Sequence, residues 1–174
     1  SWAGTSLRFR PSDEELSDAL QANAEDMFAE LLVPGAYPPR FPADLSNLRE
    51  FESFLKDLEP LNITSPDLLF LKGRYAQNSG QKDAAVKFYK ECLSLWKAQN
   101  EPEREPVLLY LMGQCCEKEN SEQAKGFFRD CIQRAGECQE LSAKCLCELC
   151  GVLKELGEWG ELETTAREAL NLNQ

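Results

Sequence analysis

Three segments of the chain set the same residue types at the same offsets, and this self-similarity constrains the fold more than any other property of the sequence. Asp67-Leu-Leu-Phe-Leu-Lys-Gly-Arg-Tyr-Ala76 leads across Gly80 into Ala85, Tyr89 and Cys92. Val107-Leu-Leu-Tyr-Leu-Met-Gly113 leads to Cys116, Ala124, Phe128 and Cys131. A looser third copy runs through Leu146, Leu149, Cys150, Leu153, Gly157, Ala166 and Ala169. A repeat of this period means stacked supersecondary units, each unable to bury its apolar face alone, rather than one globule built around a pocket. The expected role is that of a binding scaffold.

Each unit reads as a helical hairpin. Counted from Pro66, Pro106 and Ala143, the fourth position is Leu69, Leu109 and Leu146, and the eighth is the small residue Gly73, Gly113 or Cys150. A small side chain there lets the return helix approach closely. Gly80 and Gly157 supply left-handed helix stops, with Asn120 as the expected substitute in the middle unit. The return helices carry small, aromatic, small: Ala85, Tyr89, Cys92, then Ala124, Phe128, Cys131. In the third unit Leu162 and Ala166 take the first two places.

This pattern resembles the tetratricopeptide repeat family over roughly residues 66–174, with repeats at 66–105, 106–142 and 143–174. The starts are 40 and 37 residues apart, against a family norm of 34, so it resembles the long-repeat type, with the excess placed at 94–105 and 134–142. The resemblance implies an all-α fold of helical hairpins stacked in a right-handed superhelix, whose first helices line a concave groove that grips a peptide or helix of a partner protein. It carries the groove positions onto Asp67, Phe70, Arg74, Gln77 and Asn78; Val107, Tyr110, Gln114, Glu117 and Lys118; and Lys144, Cys147, Gly151, Lys154 and Glu155. The expected partner-binding set is Phe70, Arg74, Gln77, Asn78, Tyr110, Gln114, Lys118, Lys144 and Lys154. In it Phe70 and Tyr110 are aromatic anchors and the cations favour an acidic segment. The family's chaperone-binding branch clamps a carboxylate with lysine, asparagine and arginine at positions where this chain has Phe70, Arg74 and Cys147.

Residues 1–65 differ in kind, with twelve acids against five bases. Ser12 and Glu15 form a capping box ahead of apolar Leu16, Leu20, Met27, Phe28, Leu31 and Leu32 at helical spacing. Residues 1–43 read as an arm with this acidic helix and a proline-rich linker, in which Tyr37 and Phe41 are candidate docking aromatics, as are Trp2 and Phe9 nearer the start. Residues 44–65 read as a capping helix and linker through Leu45, Leu48, Phe51, Leu55 and Leu58. The arm either caps the superhelix, occupies the groove or docks elsewhere. Ser12 and Ser65 read as helix N-caps before they read as phosphorylation sites, and Asn62-Ile-Thr64 is a bare sequon.

Composition removes several functions. A net charge of −11 without any lysine or arginine run argues against nucleic acid, and no apolar stretch reaches membrane-span length. No signal-peptide pattern opens the chain, and a start without methionine suggests a piece of a longer protein. With no histidine and no glycine-rich phosphate loop, no enzyme is expected, and no cofactor. The eight cysteines include Cys138, Cys145, Cys147 and Cys150 close together, a set that raises structural zinc. Small buried side chains are the favoured reading, because Cys92, Cys116, Cys131 and Cys150 fall where the repeat needs them, and so many thiols suggest an intracellular compartment, cytoplasmic or nuclear. A second functional reading is an assembly domain that self-associates or packs on other parts of its own chain, with Leu153, Leu162 and Leu170 exposed at the last hairpin.

Overall fold

The computed structural model describes residues 14–15, 18, 21–22, 52–53, 55–56, 59–61, 65–99, 104–136 and 138–172. Ser12, Trp2, Phe9, Tyr37, Phe41 and the sequon at Asn62 lie outside the described residues, as do most of the expected arm and capping helix. Helix is the only regular structure among the described residues. Six α-helices follow in order: α1 Pro66–Asn78, α2 Lys82–Ala98, α3 Glu105–Cys116, α4 Ser121–Arg134, α5 Gln139–Leu156 and α6 Trp159–Leu172, preceded by a 3-10 turn at Glu59–Leu61. The all-α repeat plan read from the sequence is the observed one. The described residues divide into two compact units, with the boundary at Leu95 and Trp96.

In the first unit, α1 begins with Ser65 in extended backbone and Pro66 in the first turn, where a missing N–H costs nothing. The Ser65 hydroxyl makes no capping bond; the backbone carbonyl accepts from Leu69 instead at 3.1 Å. The helix stops at Gly80, whose φ is +78°, and Gln81 N–H donates back to Ala76 at 2.8 Å, the closing bond of a Schellman motif. The return helix α2 buries Ala85, Tyr89 and Cys92 completely. Its Tyr89 ring lies so close to Gly73 that a Cβ there would come within 3.0 Å of it, and the Cys92 thiol donates to the Pro66 carbonyl at 3.1 Å.

The second unit repeats that design in α3 and α4. Ala124, Phe128 and Cys131 are fully buried, and a Cβ at Gly113 would again meet the aromatic ring, here Phe128, within 3.0 Å. The chain then packs α4 on α5 and α5 on α6, with α3 also reaching α5. Glu105, in the first turn of α3, joins Lys97 at 3.1 Å and Arg134 at 2.7 Å. Arg104 stacks its guanidinium 4.8 Å from the centre of the buried Trp96 ring, an anchor the repeat comparison did not single out. Between the last two hairpins, Lys125 bonds Glu158 at 2.7 Å and Glu122 at 3.0 Å, and the hydrogen bond it donates to Glu158 foremost raises the lysine pKa.

Three expectations are corrected. Asn120 is not a left-handed stop: with φ −146° it is the N-cap of α4, its side chain accepting from Gln123 N–H, while Gly136 takes positive φ in the next connection. The third hairpin starts at Gln139 rather than Ala143, so part of the excess length becomes an N-terminal extension of α5 rather than loop. On α6 the buried residue is Thr165, with Leu162 and Ala166 only half-buried. That helix brings no ring to the core, and correspondingly the eighth position of the third unit is Cys150 rather than glycine.

Gly113→Ala is therefore expected to lower unfolding stability by about 1–3 kcal/mol, the scale of overpacking. Gly126, on the exposed face of α4 with open space around it, should respond oppositely, Gly126→Ala adding about 0.5–1 kcal/mol. Urea titration of both, together with Gly113→Ala in a Phe128→Leu background, checks the pairing: the double variant should lose less than the sum of the singles.

Candidate partner-binding surface

The groove positions carried over from the repeat pattern separate sharply by depth. On α1, Phe70 is fully buried and Arg74 is 4% exposed, while Gln77 is half-buried and Asn78 exposed. The Phe70 ring lies 6.4 Å from that of Tyr89. The Gln77 side-chain oxygen accepts from the Tyr89 hydroxyl at 2.7 Å and from Arg74 Nη1 at 3.1 Å. Gln77 thus locks the aromatic of the return helix and the arginine of its own helix to one acceptor.

On α3 a glutamine at the ninth rather than the twelfth position does comparable work with different atoms. Tyr110 is fully buried, 6.1 Å from the Phe128 ring, and Gln114 Nε2 donates to the Tyr110 hydroxyl at 3.1 Å and to Glu148 Oε1 at 3.4 Å. Glu148 lies on α5, so this amide ties the first helices of two consecutive hairpins together. Beside it Lys118, Cys147, Gly151 and Lys154 are exposed, and Glu117 is half-buried.

Four of the expected binding residues do not face solvent: Phe70, Arg74, Tyr110 and Lys144 are all buried. Phe70 and Tyr110 cannot serve as exposed anchors, because each fills the gap beside a glycine-bearing stretch and packs against the return-helix ring. Lys144 is 6% exposed, and its burial desolvates the ammonium and lowers the pKa. The sequence signal that would have exposed the error was present: a groove aromatic whose return helix also offers an aromatic is a core pair before it is an anchor. Conversely, Glu148 was not singled out, although it is the residue that joins α5 to the Gln114 amide.

The first unit also holds a cleft of about 320 Å³ between the helical stretch at Leu55–Lys56 and the α1–α2 hairpin, lined by Lys72, Tyr75, Ala76 and Phe88 among others. The sequence analysis placed an amphipathic helix through Leu55 but did not place this cleft.

All eight cysteines are free thiols at graded depth. Cys92, Cys115, Cys116, Cys131 and Cys145 are buried, Cys138 and Cys150 intermediate, and Cys147 exposed. The expected small-site role suits Cys92, Cys116 and Cys131. Cys150 is only half-buried at its eighth position, and Cys115 and Cys145 are buried at positions the repeat did not mark. Burial above all, then a hydrogen bond with Cys131, drives the Cys145 thiol pKa far upward. Burial likewise raises Cys150, with Cys147 adding to it. Among the described residues, no three histidine, cysteine, aspartate or glutamate side chains group as a metal ion requires, and no described helix is long and apolar enough to cross a membrane.

Hairpins whose first helix and return helix meet at a small residue define the class of this fold: an all-α helical repeat. The family model described as Tetratricopeptide repeat matches residues 66–95, the span that contains Gly73, Ala85, Tyr89 and Cys92. By that match the first hairpin is similar to a repeat of a family whose members are generally protein-interaction modules and non-enzymatic. Comparison with curated proteins gives no match to the chain.

The thiol gradient yields a direct measurement. Under native conditions Cys147 should react first with a thiol-specific reagent, Cys138 and Cys150 more slowly, and Cys92, Cys131 and Cys145 only as the protein opens, since reactivity follows the exposed thiolate. Peptide mapping after timed alkylation reads the order; early labelling of Cys145 would contradict the packing of α4 on α5.

Proposed function

We propose that the chain is an intracellular interaction scaffold, part of a larger complex, that holds a segment of a partner protein on the face where α3 and α5 meet. The observation that supports this most is the Gln114 bridge from the Tyr110 hydroxyl to Glu148, because it sets the first helices of two hairpins side by side with polar, solvent-reaching side chains between them. Lys118 and Lys154 flank that face as exposed cations, and Cys147 with Gly151 keeps its floor low, so that a peptide or helix backbone can approach. The chemistry suits an acidic segment with apolar side chains seated above the small residues. In the first unit, Gln77 and Asn78, backed by Arg74, offer a surface of the same kind on α1. Phe70, Tyr110 and Lys144 act beneath these surfaces by fixing the helices that carry them. Eight cysteines outside any disulfide support a reducing compartment. Nothing in this reading calls for a cofactor or a nucleic acid.

Selection of acidic peptides from a displayed library against the intact chain tests it. Lys118→Glu combined with Lys154→Glu should weaken the selected peptides about tenfold or more, at the upper end for two exposed charge pairs reversed in sign, and the difference should shrink at high salt. Circular dichroism should be unchanged, as both lysines are exposed. Selected peptides that bind the double variant as tightly as the wild type would remove the α3–α5 face from consideration.

A further inference from the structure

The last helix carries a feature that the partner-binding face does not use. Among the described residues, Trp159 and Leu170 are the exposed large apolar side chains, at 63% and 66%. They stand eleven residues apart, which is close to three full helical turns, so both lie on one flank of α6. Leu162 and Ala166, half-buried against the rest of the hairpin, continue that flank inward. Along its outer border run Glu163 and Arg167, joined at 2.6 Å with 66% and 74% of their side chains exposed.

These residues are arranged about a common centre. The midpoint between Trp159 and Leu170 falls between Thr164 and Thr165, and the midpoint between Glu163 and Arg167 falls on Thr165. A second α6 laid antiparallel across this point would therefore set each Trp159 over Leu170 of the other copy and each Glu163 opposite the other copy's Arg167. That is the property of an isologous interface, in which residue i meets j and j meets i. We propose that the open flank of α6 is a homotypic docking surface on which two copies of this chain pair through antiparallel helices. An unrelated apolar helix would satisfy Trp159 and Leu170, but it would give no reason for the charges to share their centre. Two tryptophans and two leucines on one short helix pair bury less than the roughly 1,200 Å² of a stable complex, so the dimer is weak and forms at high local concentration, as when a larger assembly presents several copies.

Sedimentation velocity of the intact chain over a dilution series from about 5 to about 500 μM, the range suited to a small interface, reads the association. The wild type should pass from monomer toward dimer across the series. Trp159→Glu should stay monomeric throughout. Arg167→Glu leaves two acids facing two acids, and Glu163→Arg leaves two bases facing two bases. Each alone should need about tenfold more protein to associate, reversed pairs counted twice by symmetry. An equimolar mixture of the two should associate at least as well as the wild type. All three substituted positions are solvent-facing, so helicity should be unchanged, and circular dichroism verifies this. A wild type that is monomeric over the whole range would overturn the proposal. So would association indifferent to both charge variants, or a mixture no better than its components.

Discussion

Across each of the first two hairpins an aromatic ring packs directly against a glycine. Tyr89 covers Gly73 and Phe128 covers Gly113, in each case at a distance that leaves no room for a Cβ. Dispersion contacts at such range are individually small, but a fully buried ring gathers dozens of them. The glycine costs its helix something in propensity, a cost offset by letting the two helix axes come close enough for the ring to lie flat between them. Other buried groups then take their positions from that contact: Phe70 and Tyr110 lean on the same rings, and Gln77 and Gln114 reach the hydroxyl groups nearby.

Polar links act on top of this packing rather than in place of it. Glu105 with Lys97 and Arg134, and Lys125 with Glu158, connect helix ends, yet most of their cations are at least half exposed and such pairs contribute little individually. The amide bridges are more consequential because their partners are buried. An unsatisfied Tyr110 hydroxyl in the core would carry a desolvation penalty, so Gln114 is held in one rotamer, and through it the surface shared with Glu148 is held as well. The proposed binding face is thus tied to the core through these amides, while Lys118 and Lys154 extend into solvent.

The hairpin plan, the glycine contacts and the Ala–aromatic–Cys signature of the return helices were legible in the sequence because each rests on local spacing. What failed was anything that depends on where a side chain ends. Phe70 and Tyr110 occupy positions that face a groove in register terms, but their rings turn inward to meet Tyr89 and Phe128, a choice set by the partner helix and not by their own. Lys144 was misplaced similarly, since the early start of α5 at Gln139 extends the helix past the point where the repeat was counted. Asn120 illustrates a third limit: the same residue type serves a left-handed stop and an N-cap, and only the hydrogen bond to Gln123 distinguishes them. The midpoint relation on α6 lies in plain view in the sequence, but it carries meaning only once Trp159 and Leu170 are seen to be exposed.

The third hairpin lacks the wedge that closes the other two. Cys150 stands where they have glycine, α6 sends no aromatic inward, and its one buried residue is Thr165. Without that wedge, this hairpin is expected to open before the α3–α4 hairpin does, since local opening starts where packing is least closed. Opening of α5 would uncover Cys145, which that helix carries, and free the Gln114 amide from Glu148 in the same event.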